Sequence, residues 1–276
     1  MNTTFSPGAL RGTVAAPASK SEAHRRLICA GLSRSATTFS GFIGSEDLAA
    51  TLSCIQALGA QVQQRGGALT VTGDPEPTSF PPLYDCGESG STLRFFVPIA
   101  LSLTGGGVFR MRGSLGSRPM DVYRDLFVPK GVSWSMREGV DGTAELRVVG
   151  SLEPGLYELP GNVSSQFVSG LLFALPLLER ASTLTVLPPV ESASYIGMTL
   201  RAIRDSGVAV EEVSEGSWRI PGRQSYQAKG GAFHGDWSQA AVLLACGALG
   251  GDVTVTGLSA EDGQGDRAVI DCLRAL

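Results

Sequence analysis

An internal repeat constrains this chain more than any other feature, because copies of one supersecondary unit must bury their apolar faces against each other. Four segments align by eye: SKSEAHRRLICAGLSRSATTFSG, SGSTLRFFVPIALSLTGGGVFRMRG, SSQFVSGLLFALPLLERASTLTVLP and DWSQAAVLLACGALGGDVTVTG. They begin near Ser19, Ser89, Ser164 and Asp236, at intervals of 70, 75 and 72 residues. Each opens with a serine-containing turn, continues through an apolar-rich helical stretch, breaks at glycine or polar residues and ends in a short β-branched strand. A second amphipathic helix follows. Leu48, Leu52 and Ile55 in the first copy, and Ile196, Leu200 and Ile203 in the third, are spaced by four and three, which puts each triplet on one helical face. A glycine and a pair of short strands close the unit, as in LGAQVQQRGGALTVTG, KGVSWSMREGVDGTAELRVVG and SGVAVEEVSEGSWRIPG.

The unit therefore reads βαβαββ and the fold class is α/β. Three complete units predict one domain over residues 17–229. The fourth copy predicts a helix over 239–248, a strand over 253–256 and a further helical pattern at Val269, Ile270, Leu273 and Leu276, without closing strands. An unpaired sheet edge and an uncovered helix face are liabilities. The expectation is a truncated chain in which residues 1–16 and 230–276 form an incomplete second domain.

With 276 residues, 43% of them hydrophobic, the chain can bury a sizeable core, which excludes a disordered segment. The apolar runs around Phe95–Leu103 and Val168–Leu178 fall short of the roughly 20 residues needed to cross a bilayer, so no membrane span is expected. The opening MNTTFSPGALRGTV lacks the basic-then-apolar order of a secretory signal. Five cysteines (Cys29, Cys54, Cys86, Cys246, Cys272) without CxxC spacing suit a reducing cytosol, so a cytoplasmic location is expected. A net charge of −4 argues against a nucleic-acid partner. The two histidines, His24 and His234, have no ligand-spaced companions, so neither a metal nor a cofactor is expected.

Serine-rich turns at helix starts have a plain reading as N-caps, each worth about 1 kcal/mol. They also have a chemical one. Helix N-termini carry free N–H groups and partial positive charge, so several that converge bind phosphates and carboxylates. Two of the turns add cations: Lys20 stands beside Ser21, with Arg25 one turn on along the same face, and Arg94 follows Ser91 by three residues. Arg118, in GSLGSRPMD, precedes Pro119. Any one of these could be a solvated surface arginine. Together they point to a ligand with more than one anionic group.

The turns SKS…R and GESGSTLR, the SRPM loop, NVSSQF, ESASYIGMTL and the late GD.S.A…L and QGD patterns resemble, in order, the signatures of 5-enolpyruvylshikimate-3-phosphate synthases. The resemblance spans nearly the whole chain and implies an enolpyruvyl transferase fold of repeated βαβαββ units, three to a domain. It implies transfer of the enolpyruvyl group of phosphoenolpyruvate to the 5-hydroxyl of shikimate 3-phosphate, with release of phosphate, on the shikimate pathway to aromatic amino acids. Small-molecule substrates, a monomer, and two domains that close on ligand are further implications, with hinges near Ala16–Lys20 and Lys229–Gly231. By the same resemblance Lys20 is catalytic and contacts both substrates. Ser21, Arg25, Ser164, Ser165, Ser192 and Tyr195 would hold shikimate 3-phosphate, Gly90, Arg94 and Arg118 would hold phosphoenolpyruvate, and Gln166 would lie between the two.

The chain departs from the pattern at Glu88, where the family more often has asparagine; a carboxylate there repels an anion unless it points away or is paired. The family's proton-transfer carboxylates, further arginines and a late lysine find no counterpart, and Glu261, Asp262 and Asp266 read as loop polarity and capping. The isolated chain is therefore expected to bind shikimate 3-phosphate weakly or not at all and not to turn over. One alternative is a non-catalytic phospho-ligand-binding remnant. Another is UDP-N-acetylglucosamine enolpyruvyl transferase, which has lysine-asparagine where this chain has Lys20-Ser21 and a cysteine-bearing loop where it reads GSLGSRP. RNA 3′-phosphate cyclases share a similar unit, but their histidine context is missing here.

Overall fold

The computed structural model describes residues 8–75, 80–139 and 142–275. The first unit comprises α1 (Lys20–Leu32), β2 (Ala36–Ser40), α2 (Glu46–Ala57), β3 (Gln61–Arg65) and β4 (Ala68–Thr72), preceded by β1 (Arg11–Ala15). The second comprises β5 (Leu83–Asp85), α3 (Gly90–Leu103), β6 (Gly106–Met111), α4 (Asp121–Phe127), β7 (Ser133–Glu138) and β8 (Ala144–Val149). The third comprises β9 (Leu156–Pro160), α5 (Ser165–Ala174), β10 (Ser182–Leu187), α6 (Ala193–Asp205), β11 (Glu211–Ser214) and β12 (Ser217–Ile220). Then come β13 (Gly231–Ala232), α7 (Trp237–Ala248), β14 (Asp252–Thr256) and α8 (Val269–Arg274).

Each unit builds one four-stranded sheet, in the orders β13-β2-β4-β3, β5-β6-β8-β7 and β11-β12-β10-β9. In every sheet the strand after the first helix pairs in parallel with an opening strand and antiparallel with the closing hairpin. The strands alternate between a buried and an exposed face, as in the pattern of β2 and β9, and the helices pack on the buried one. The first sheet takes its opening strand from β13, far along the chain. The segment that leaves the third unit thus stays on the first unit's sheet through Ala232, past the boundary at residue 229 read from the sequence.

The inner helices α1, α3 and α5 supply the centre of the core, where Leu27, Ile28, Phe95, Phe96, Leu171 and Phe173 are fully enclosed. Helix α3 continues through Pro98, which cannot donate to the carbonyl of Arg94 four residues back. The Tyr123 hydroxyl reaches that carbonyl at 2.9 Å and the Phe167 carbonyl at 2.7 Å, so its one proton is shared between α3 and α5. Gly170 of α5 passes so close that an added Cβ would overlap the Tyr123 hydroxyl and the Arg94 carbonyl oxygen. This glycine sets the α3–α5 distance, and with it the position of Arg94.

The fourth copy forms its helix and strand, with β1 and β14 paired in parallel as a two-stranded sheet. Val242 and Leu249 of this part are exposed. Its last pattern residue, Leu276, lies outside the described residues. Among the described residues no helix is long and apolar enough to cross a membrane.

Candidate functional site

The four repeat turns all cap helices. Ser19, Ser89, Ser164 and Asp236 accept from the backbone N–H of Glu22, Thr92, Gln166 and Gln239 at 3.4, 3.2, 3.4 and 3.0 Å. The plain reading therefore accounts for the first hydroxyl of each serine turn. The second hydroxyl, on Ser21, Ser91 or Ser165, stands in the first helical turn and faces a common cleft of about 210 Å³. Lys20, Arg25, Ser164, Gln166, Ser192 and Tyr195 line the same cleft. Eight of the eleven site residues expected from the sequence meet there, brought from α1, α5 and α6. Ser192 contributes with backbone angles of φ 56° and ψ 37°, a left-handed conformation that costs a non-glycine residue about 1 kcal/mol.

Arg25 is 3% exposed. Its Nε donates to Thr199 Oγ1 at 2.7 Å, Nη1 to the Ser21 carbonyl at 2.7 Å and Nη2 to the Tyr195 carbonyl at 3.0 Å. Burial pushes its pKa down to about 10, so the guanidinium remains a fixed cation at neutral pH. It is held between α1 and α6 like a core residue, yet its charge borders the cleft. Lys20 is different: its side chain is 52% exposed and its Nζ pairs with Asp47 Oδ2 at 2.7 Å. A surface pair of this kind is worth about 0–1 kcal/mol, so an incoming phosphate can replace the carboxylate.

The other three expected residues, Gly90, Arg94 and Arg118, form a second cationic cluster beside the cleft. A Cβ on Gly90 would lie 2.8 Å from Arg118 Nη1 and 3.8 Å from Arg94 Nη1, so a side chain there would displace the Arg118 guanidinium while leaving Arg94 in ordinary contact. Burial lowers the Arg94 pKa, and the neighbouring charge of Arg118 acts in the same direction. Two cations kept this close favour an anion between them. Gln166 joins the two halves, accepting from Arg94 Nη1 at 2.7 Å and donating from Nε2 to Ser91 Oγ at 2.7 Å. Glu88 is exposed, with its carboxyl group over Gly113, and has no hydrogen bond or ion pair among the described residues.

Sequence reasoning missed Asp47, His24 and Phe95 as site neighbours, and placed Ser91 in an anion-binding turn without naming it as a site residue. Asp47 carried no signal, since an acid in the first turn of α2 reads as a dipole partner. His24 had one: it follows Lys20 by four and lies on its face of α1. It is 2% exposed, and burial pushes its pKa down to about 3, with the Arg25 charge assisting. The unfolded chain binds a proton near pH 6.5 that the folded chain refuses. Stability should therefore fall as pH drops from 6.5 toward 3, with a slope approaching about 1.4 kcal/mol per pH unit from this group. Urea unfolding of the wild type and His24→Asn between pH 7 and 4 should show a shallower acid dependence in the variant; parallel curves would remove His24 from the account.

A larger cavity of about 360 Å³ lies between α1, α6 and the crossing segment 228–234. Its main charges are already engaged. Arg26 donates to Glu22 and to the carbonyls of Gly230 and Ala232, Glu22 also receives the His234 N–H, and Arg201 donates to the Glu261 carbonyl. These bonds pin residues 229–232 to α1. The smaller cleft, where Lys20 holds only an exposed ion pair and the Ser21, Ser165 and Ser192 hydroxyls have no hydrogen bond among the described residues, is the better anion site.

A sequence model of the family described as EPSP synthase (3-phosphoshikimate 1-carboxyvinyltransferase) matches residues 5–276. A 3-phosphoshikimate 1-carboxyvinyltransferase of Clostridium beijerinckii is 38% identical over 282 residues, covering 100% of this chain and 64% of that protein. The protein of the same name from Clostridium perfringens strain SM101 is 39% identical over 274 residues, covering 99% and 64%. The chain thus spans slightly less than two-thirds of the length of these relatives. An EPSP synthase structure from Acinetobacter baumannii superposes with a TM-score of 0.79 at 24% identity, over 98% of this chain and 60% of that one. At that identity the likeness speaks for the fold alone, the repeated α/β fold of the enolpyruvyl transferases.

Proposed function

Since the chain belongs to the EPSP synthase family, we propose that its cleft holds shikimate 3-phosphate and that the adjoining arginine cluster holds phosphoenolpyruvate, for enolpyruvyl transfer to the 5-hydroxyl. The observation that carries this reading is the convergence, in one cleft, of Lys20, Arg25 and the first-turn hydroxyls of three helices, next to Gly90, Arg94 and Arg118. Arg25 and the serines suit a phosphate, whose oxygens accept charge-assisted bonds from the guanidinium and neutral ones from hydroxyls. Arg118 and Arg94 suit the second anion. Gln166, bonded toward both halves, would keep the substrates in register, and Lys20 would exchange Asp47 for substrate at their junction. In the reaction the 5-hydroxyl gives up its proton as its oxygen bonds to the central carbon of phosphoenolpyruvate and the methylene carbon gains a proton; the methyl group so formed then loses a proton as the bond to phosphate breaks, which releases phosphate and restores the enol double bond. The residues named here account for binding and orientation, and the family resemblance implies proton-transfer carboxylates in addition to them.

The three buried free thiols, Cys29, Cys54 and Cys86, fit a reducing compartment such as the cytoplasm. Calorimetric titration should show saturable binding of shikimate 3-phosphate and at least about tenfold weaker binding of shikimate, because the phosphate supplies the charge-assisted bonds. Lys20→Ala should weaken the phosphorylated ligand and leave the fold intact. A folded chain that does not discriminate between the two ligands would overturn the reading.

A further inference from the structure

We propose that His24 is a positioning residue of the cleft, acting through Thr51 and Thr92 to hold the first turns of α1, α2 and α3 in one register. The inference rests on the reading that the cleft takes shikimate 3-phosphate. His24 Nδ1 lies 2.7 Å from Thr51 Oγ1 on α2, and Thr51 Oγ1 lies 2.8 Å from Thr92 Oγ1 on α3. Thr92 Oγ1 donates to Ser89 Oγ, the cap of α3, at 2.8 Å, and approaches the Asp47 carbonyl of α2 at 3.5 Å. All four side chains are buried: Thr51 and Thr92 are 0% exposed, His24 and Ser89 2%.

Proton supply gives this chain of bonds a direction. A hydroxyl has one proton. Thr92 donates its own to Ser89, so it can only accept from Thr51. Thr51 has then donated its proton and must accept from His24, which makes His24 the neutral Nδ1–H tautomer. Its Nε2 is left as an unprotonated nitrogen with no partner among the described residues.

Apolar side chains between helices tolerate sliding, whereas a buried, directional hydrogen-bond chain is satisfied at one register. The helices it joins carry Lys20 on α1, Asp47 on α2, and Gly90, Ser91 and Arg94 on α3, the groups whose separation decides whether both anions fit. A shift of about 1 Å misaligns such bonds, and misplacement on that scale is costly at a functional site.

Two variants separate this role from simple packing. His24→Asn keeps an N–H donor near the Nδ1 position, and His24→Leu keeps the bulk without the donor. Nitrogen NMR on the wild type should show Nδ1 protonated and Nε2 bare. Shikimate 3-phosphate should bind His24→Asn within about threefold of wild type and His24→Leu about tenfold or more weaker, the loss of roughly one hydrogen bond's alignment. Without ligand, amide exchange at the second turns of α1, α2 and α3, where the intrahelical hydrogen bonds begin, should quicken together in His24→Leu only. An Nε2–H tautomer, equal affinities for all three proteins, or equal losses in both variants would overturn the proposal. A wild type that fails to bind while showing the Nδ1–H tautomer and the coupled exchange would instead overturn the reading of the ligand.

Discussion

Arg25→Ala should abolish measurable binding of shikimate 3-phosphate, with an affinity loss of about a hundredfold or more, and should also destabilise the fold by about 3 kcal/mol. The two effects have separate causes. The ligand loses a cation already fixed by three protein bonds, for which little side-chain entropy remains to be lost on binding. The protein loses the link from α1 to Thr199 and Tyr195 of α6, and a cavity opens between Phe95 and Tyr195, whose rings lie 5.5 and 5.8 Å from the guanidinium carbon. Arg25→Lys preserves the charge without the planar fork, so it should recover part of the affinity and little of the stability. Calorimetry and urea unfolding on the same preparations separate the effects. Retained affinity in a folded alanine variant would move the phosphate site elsewhere.

Gly170→Ala should be among the most damaging single-methyl changes in the protein. Alanine in place of glycine ordinarily favours a helix interior by about 1 kcal/mol. Here the added methyl would meet the Arg94 carbonyl oxygen and the Tyr123 hydroxyl, and neither can move away without disturbing the hydrogen bonds by which Tyr123 joins the Arg94 and Phe167 carbonyls. Overpacking of a rigid helix contact typically costs about 1–3 kcal/mol, and loss of the Tyr123 bond adds about 1 kcal/mol, so strain exceeds propensity. A net destabilisation of about 1–3 kcal/mol is expected from thermal or urea unfolding. Displacement of α3 from α5 should also break the Arg94–Gln166 contact, so affinity for both substrates should fall. A variant as stable as wild type would mean that α3 and α5 separate freely.

The units and their helices were legible in the sequence for a local reason. A period of four and three marks a helix face, and alternation next to glycine marks a hairpin, wherever the rest of the chain lies. The capping serines were legible in the same way, because Ser19, Ser89 and Ser164 bond within their own first turns. The identities of the cations were plain too, and the family resemblance assigned most of them to one ligand site.

Only the tertiary structure decided what those residues touch. Arg25 reads from the sequence as an anion-binding cation one turn from Ser21; burial against Thr199, 174 positions away, makes it a structural charge as well. Asp47 acquires a role because α2 packs beside α1 and brings it to Lys20. His24 belongs to the site through Thr51 and Thr92, on two other helices. The first sheet is closed by β13, which no pattern near residue 231 announces. The sequence by itself determined the repeating unit, the helix starts and the chemical character of the cleft, since these depend on spacing within a few turns. The register between helices, the burial of Arg25 and the pairing of Lys20 with Asp47 depend on side-chain packing between distant segments, which local periodicity does not encode.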